Sequence, residues 1–445
     1  MKTDHILCTI LLLILSFSPK ISSKTMPDSL LRRAHAIGIL SDKTVNALTD
    51  PTHTLRPFLQ TLQALQQGKD TTLTIVHLGD SHIQAGYFGG QTMRLLHRGF
   101  GNAGRGWLSP LKLARTNEPP DYFITSTTRN WLGGKAVQRK RKCPIGPGGI
   151  GVQSPLSSVG LNLIITPKNG AGYGFDQVLL FRDQKAKPMI PTGKSLYTAK
   201  RSLGSTTQAG MRVDTFRMLT TSDTLQLRSE PQRLGSSLYY GFLVKKEQRG
   251  VLYHSVGVNG AMYERYTDPT FVSRLACLKP SVLIISLGTN ESFGRNFLSS
   301  EFKQQIKNFL KLVKKDMPQT TILLTTPVEC YKRIWRNRRR TYVRNTNTVL
   351  IAQATAQLAA EEGIALWDLF SIAGGKGASE KWYKNKLLGR DHIHFSREGY
   401  ELQGTLLFQA FISQIRKEGL GMRIEKLPMP TPQPFILKKL QPTLK

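Results

Sequence analysis

A serine early in the chain and an aspartate–histidine pair near its end make one chemistry if the fold joins them. Ser81 ends the turn Gly79-Asp80-Ser81, and Asp391 and His394 stand three residues apart in Gly389-Arg-Asp-His-Ile-His-Phe-Ser396. A carboxylate three residues before a histidine, in a turn, can accept the imidazole Nδ1–H and aim Nε2 at a hydroxyl. His394 would then take the Ser81 proton as general base and return it to a leaving alcohol. Such acyl transfer also needs donors for the developing oxyanion. The backbone N–H groups of Ser81 and Gly260 and the side-chain amide of Asn290 are the candidates.

Each residue has a plainer use. Ser81 and Asp391 can cap helices, Asn290 can close a turn, and Gly260 can supply a positive φ. Asp391-His392-Ile-His394 could be half of a metal site, but no second ligand cluster of comparable density accompanies it, so no metal is expected. His392 is the weaker base because it does not occupy the Asp-x-x-His position. All the plain uses would have to coincide, in order, at the ends of strands and helices. One shared site accounts for them together.

The elements that would carry these residues follow an α/β rhythm. Leu73–Leu78 is an apolar, β-branched run that reads as a buried strand, followed by a helix over about Ile83–Arg98. Val251–Val258 leads into Gly257-Val-Asn-Gly260, and Ser281–Leu287 into Gly288-Thr-Asn290-Glu291. Phe302, Ile306, Phe309, Leu310 and Val313 mark an amphipathic helix, and Thr320–Thr326 is a strand stopped by Pro327. A helix over about Val343–Glu362, a strand over Ile364–Phe370 and a last helix from Ser396 to about Ile415 complete the series. Alternating strands and helices predict a parallel, doubly wound sheet. Its strands would deliver Ser81, Gly260 and Asn290 to the same edge. Gly99-Phe-Gly-Asn-Ala-Gly104 has the form GxGxxG, but it follows a helix instead of a strand, so a nucleotide site is not expected there.

These blocks resemble those of the SGNH (GDSL-type) hydrolases. Gly79-Asp-Ser81, Gly260, Gly288-Thr-Asn290 and Asp391-His-Ile-His394 look like the family's four motifs in order. The resemblance places the family's nucleophile on Ser81, its oxyanion glycine and asparagine on Gly260 and Asn290, and its Asp-x-x-His on Asp391 and His394. It implies a flavodoxin-like three-layer α/β/α sandwich without a cofactor. His82 stands where the family often has leucine, and the serine and asparagine blocks are unusually far apart. Both features are similar to the peptidoglycan O-acetylesterases, which begin Gly-Asp-Ser-His and carry an inserted β-sandwich resembling a carbohydrate-binding module. The resemblance covers about 70–100 and 250–415.

The rest of the chain divides accordingly. Residues 1–23 read as a signal peptide, with Lys2, the apolar run Ile6–Phe17 and small residues Ser22 and Ser23. A helical leader is expected over 24–69, hydrolase segments over 70–104 and 251–420, and a basic Pro-rich tail over 421–445. Residues 105–250 lose helical periodicity and carry short β-prone runs, which predicts an inserted β-sandwich. It would serve either as a glycan-binding surface, with Trp131 and tyrosines as platforms, or as a structural lid. No other segment is long and apolar enough to span a membrane.

The formal net charge of +33 favours polyanionic surroundings, with its densest clusters at Arg139–Lys142 and Lys332–Arg344. Export makes an anionic cell-envelope polymer a better partner than a specific nucleic acid. With Cys8 lost to the signal, Cys143, Cys277 and Cys330 allow at most one disulfide, with Cys277 and Cys330 an open pairing. An α/β-hydrolase is excluded because G-x-S-x-G is missing around Ser81. The expected activity is removal of O-acetyl groups from a wall polysaccharide, peptidoglycan foremost. An O-acetyltransferase or another acyl esterase of this fold is the nearer alternative. A glycan-binding protein without catalysis, and a basic adhesin or nucleic-acid binder, are the alternatives of other classes.

Overall fold

The computed structural model describes residues 31–422, apart from 36–37, 41–43, 167–173, 203, 232–236 and 337. The expected signal peptide and nearly all of the expected basic tail lie outside the described residues.

A parallel sheet of six strands organises the chain. Its members are β1 (Thr72–Gly79), β2 (Asn102–Gly104), β3 (Gly250–Gly257), β4 (Val282–Ser286) and β5 (Thr321–Thr325). A separate hairpin, β6 (Tyr331–Arg336) and β7 (Arg339–Arg344), comes before the last sheet strand, β8 (Ala365–Trp367). The spatial order is β2-β3-β1-β4-β5-β8, with every pairing parallel. β1 is therefore central, and the order reverses on either side of it, where ligand crevices form in such sheets. The strands are apolar runs because helices cover both faces.

Among the helices are α1 (Arg56–Gln66), α2 (Ser81–Gln84), α3 (Tyr87–Phe100), α4 (Ser299–Asp316), α5 (Asn347–Glu361) and α6 (Arg397–Lys417). α1 and α6 pack with α3, and Phe58 of α1 meets Phe411 of α6 at a ring separation of 5.2 Å. α4 and α5 pack together in the other layer. On α4, Phe302, Ile306, Phe309, Leu310 and Val313 are all buried, the stripe its periodicity predicts. The result is a three-layer α/β/α sandwich.

One polar line runs through the middle of this sheet. His77 on β1 bonds the Tyr253 hydroxyl on β3 (2.7 Å) and the Ser286 hydroxyl on β4 (2.8 Å), and Thr325 on β5 donates to Ser286 (2.9 Å). Burial lowers the His77 pKa to about 3, so the ring is neutral and both nitrogens are satisfied. Each such bond contributes about 1 kcal/mol, and removing one partner would cost more because a buried polar atom would be stranded.

Between β2 and β3 the chain forms two antiparallel sheets. One contains Ile150–Ser154, Phe175–Asp183, Met211–Ser222 and Ser237–Lys245, and the other contains Tyr122–Thr125, Gly160–Ile165, Met189–Pro191 and Thr224–Ser229. Gly160–Ile165 and Thr224–Ser229 bury alternate residues, the period-two pattern of a sheet with one covered face. Trp131 is only 6% exposed, stacks edge-on against Tyr239 and donates its indole N–H to the Thr128 carbonyl (3.1 Å). It is a core residue, which corrects the expectation of a sugar platform there.

Two other expectations change. The helix expected from Val343 begins at Asn347, because 331–344 pair as the hairpin. The strand expected to reach Phe370 ends at Trp367, where Asp368 caps a short helical turn, Leu369–Ile372. The GxGxxG stretch spans the end of α3 and the edge strand β2. Cys143, Cys277 and Cys330 are free thiols.

Candidate active site

β1 ends at Gly79, and the chain must turn there without a side chain. A Cβ on Gly79 would lie 2.3 Å from Ile83 Cγ1 and 2.7 Å from the Ser286 carbonyl. Asp80 then caps α2, accepting the His82 N–H at 2.9 Å. Ser81 is the first residue of that helix and lies over the carboxyl end of the central strand.

The other half comes from the loop before α6. Asp391 Oδ1 accepts the N–H groups of Ile393 and His394, both at 3.0 Å, which curls the loop around the carboxylate. Its Oδ2 accepts His394 Nδ1–H at 2.6 Å, and the Ser81 hydroxyl lies 2.8 Å from His394 Nε2. With Nδ1 protonated toward the carboxylate, Nε2 accepts from the serine; this tautomer follows from the network. Ser396 caps α6 through the Gly399 N–H and fixes the loop's exit.

Electrostatics follow the same geometry. Burial alone would raise the Asp391 pKa, but hydrogen bonds from His394 and the loop backbone outweigh it and hold the carboxyl well below its ordinary range. The hydrogen bond to Asp391, opposed by partial burial, raises His394 above the usual imidazole value. His82 packs beside it, ring to ring at 5.3 Å, with Nδ1 on the Tyr400 hydroxyl (3.0 Å). Burial, reinforced by the neighbouring His394, lowers His82 to about 3. The pair therefore carries at most one charge near neutral pH.

Gly260 sits at φ +77°, a left-handed conformation, with open space on its Cβ side. Among the described residues, the N–H groups of Ser81 and Gly260 have no intramolecular acceptor. Asn290 differs: its amide donates to Asp80 Oδ2 (3.1 Å) and to the Ala261 carbonyl (3.0 Å). The structure thus brings Ser81, His394 and Asp391 into one hydrogen-bonded line, with Gly260 and Asn290 on the loops after β3 and β4.

Three supporting residues were not legible as such in the sequence. Gln84 donates to the Asn117 carbonyl (2.8 Å) and accepts the Asn259 N–H (2.7 Å), joining α2 to the Gly260 loop and to the β-rich part. Glu291 accepts the N–H groups of Tyr263 (2.9 Å) and Gly288 (3.1 Å) and holds the turn that carries Asn290. Burial raises both Asp80 and Glu291 to about 7. Acidic residues beside Ser81 and Asn290 were the available signal, but burial of a carboxylate leaves no periodic mark.

A cleft of about 190 Å³ lies beside Asn290, lined by Met262, Glu264, Phe297 and Leu298 among others. Behind the site, a cavity of only about 30 Å³ touches His82, Ile393 and Phe395.

A solved peptidoglycan O-acetylesterase superposes on this chain with a TM-score of 0.67, covering 83% of this chain and 99% of that one at 20% identity. This chain has the SGNH hydrolase fold. The family model of the GDSL-like lipases and acylhydrolases matches residues 220–402. That range contains Gly260, Asn290, Asp391 and His394, while Ser81 precedes it, on the far side of the two antiparallel sheets. An acetylxylan esterase of Xylanibacter ruminicola is 24% identical over 229 residues, 44% of this chain and 43% of that protein. The chain therefore spans less than half the length of that curated relative.

Proposed function

We propose that the chain is an exported serine esterase that removes O-acetyl groups from a cell-wall polysaccharide, peptidoglycan foremost. The observation that carries this reading is the Asp391–His394–Ser81 line, with contacts of 2.6 and 2.8 Å. In the first step His394 Nε2 takes the hydroxyl proton as Ser81 Oγ attacks the acetyl carbonyl. The N–H groups of Ser81 and Gly260 receive the oxyanion, and the Asn290 amide adds to them by releasing one of its present acceptors. Collapse expels the sugar oxygen, which takes the proton from His394 and leaves acetyl-Ser81. Water, deprotonated by His394, attacks that ester; the proton returns to Ser81 Oγ, and acetate departs. Asp391 stays ionised throughout and holds the imidazole in its working tautomer.

The peptidoglycan assignment is supported by the breadth of the structural likeness, which extends through the β-rich part, and by the basic character of the chain. Among the described residues no helix is long and apolar enough to cross a membrane. The acetylxylan esterase relative favours a second substrate, acetylated xylan. Acetate release from purified O-acetylated peptidoglycan and from acetylated xylan separates the two. Faster release from peptidoglycan is expected; faster release from xylan moves the substrate to the neutral glycan, and none from either overturns the esterase.

A further inference from the structure

The hairpin β6–β7 stands apart from the three larger sheets and carries Lys332, Arg333, Arg336, Arg338, Arg339, Arg340 and Arg344 without one acidic residue. No ion pair joins any of them to a carboxylate among the described residues. Glu380, whose carboxylate feels Arg344, is engaged with Lys384 at 2.7 Å.

Register sorts these side chains. Tyr331 pairs with Arg344, Arg333 with Tyr342, and Trp335 with Arg340. Alternation puts all six on one face, three aromatic rings chequered with three guanidinium groups. The Arg340 guanidinium lies 5.2 Å from the Trp335 ring centroid, and Trp335 is 69% exposed. The inner end of the same face reaches the site. Tyr342 stacks on the His392 ring at 4.2 Å, Tyr331 meets it edge-on at 5.0 Å, and the Tyr331 N–H donates to the His392 carbonyl at 3.0 Å. His392 lies between Asp391 and His394, so the face begins at the loop that holds the imidazole. Buried Glu329 and Asn345 fix the hairpin's two ends, through the Gly377 and Ser379 N–H groups and through Ser292.

We propose that this aromatic–arginine face is a subsite for an anionic glycan, a polysaccharide bearing carboxylates, and leads its strand toward Ser81. The inference rests on the reading of that site as a polysaccharide esterase. Trp335 and Tyr342, both exposed, offer flat apolar surfaces to the CH faces of pyranose rings, and guanidinium forks take carboxylates two hydrogen bonds at a time. A neutral glycan would use only half of that surface.

The test is equilibrium binding of the full chain to polygalacturonate, which has a carboxylate on each ring, beside neutral xylan, a mixed-sequence single-stranded oligodeoxynucleotide and anionic phospholipid vesicles. Polygalacturonate is expected to bind best, more weakly as salt rises. R333Q/R340Q and, separately, W335A should each weaken it about tenfold or more, with circular dichroism confirming the fold. Equal binding by wild type and both variants, or equal affinity for xylan, overturns the proposal. Tighter hairpin-dependent binding of the oligonucleotide or the vesicles overturns it in favour of that partner. Acetate release measured in parallel keeps the two readings separate. Hairpin-dependent binding without acetate release refutes the esterase alone, and acetate release with hairpin-independent binding refutes the subsite alone.

Discussion

The side-chain amide of Asn290 donates one hydrogen bond to Asp80, the residue before Ser81, at 3.1 Å, and another to the Ala261 carbonyl. The same contact fixes the distance between two strand ends, because Asp80 follows β1 and Asn290 follows β4. The amide is preorganised but engaged, while the N–H groups of Ser81 and Gly260 point to no protein acceptor among the described residues.

From this follows an expected split between two variants. Asn290→Ala removes a donor from the oxyanion and should lower kcat by about 10²- to 10³-fold. Asp80→Asn keeps the size of the capping residue and leaves the amide in place with a weaker partner, so its loss should be smaller. Steady-state kinetics on p-nitrophenyl acetate measure both; an unimpaired Asn290→Ala would remove that side chain from the oxyanion site.

Asp391→Asn tests the carboxylate. The hydrogen bond to Asp391 raises the His394 pKa, so the base form appears only above the usual imidazole value near 6.5. The acidic limb of kcat/KM should therefore lie above pH 6.5 in the wild type. In the variant it should move to lower pH while the plateau drops on the order of 10⁴-fold. A pH–rate profile with the limb unmoved would contradict the assignment.

Much of this site was legible because parallel strands end where chemistry collects. Ser81, Gly260 and Asn290 each follow an apolar run, and the spacing of Asp391 and His394 is local enough to read directly. The hairpin was not legible. Its arginines suit a helix surface as well as a strand, and Tyr331, Trp335 and Tyr342 alternate with residues that are only partly covered. Trp131 was misjudged for the opposite reason: a large aromatic in a β-rich stretch reads the same whether it faces solvent or the core. Asp80 and Glu291 owe their raised pKa values to burial, which depends on tertiary packing and leaves no pattern along the chain.

Stability should fall on acidification. Burial holds His77, His82, His97 and His254 near 3, while in the unfolded chain they titrate near 6.5. Between those values the unfolded chain binds protons that the folded one refuses, so unfolding gains as pH drops. Asp80, Glu291 and His394 act the other way. The two carboxyls bind protons more tightly when folded, from about pH 4 to 7, and the His394 contribution is complete below 6.5 and lost as pH rises through its folded value. The four histidines outweigh these three once their unfolded forms are mostly protonated, so Tm measured by calorimetry should drop from pH 6 to pH 4. A Tm that rises over that interval would contradict the buried, neutral state of those rings.

Acetate release by Ser81→Ala on O-acetylated peptidoglycan bears most directly on the whole account. The substitution removes one oxygen, the atom 2.8 Å from His394 Nε2, and leaves the helix and its Asp80 cap in place. A folded variant that releases no acetate above the enzyme-free rate, beside an active wild type, is the predicted result. A folded Ser81→Ala chain that releases acetate as fast as the wild type would contradict it.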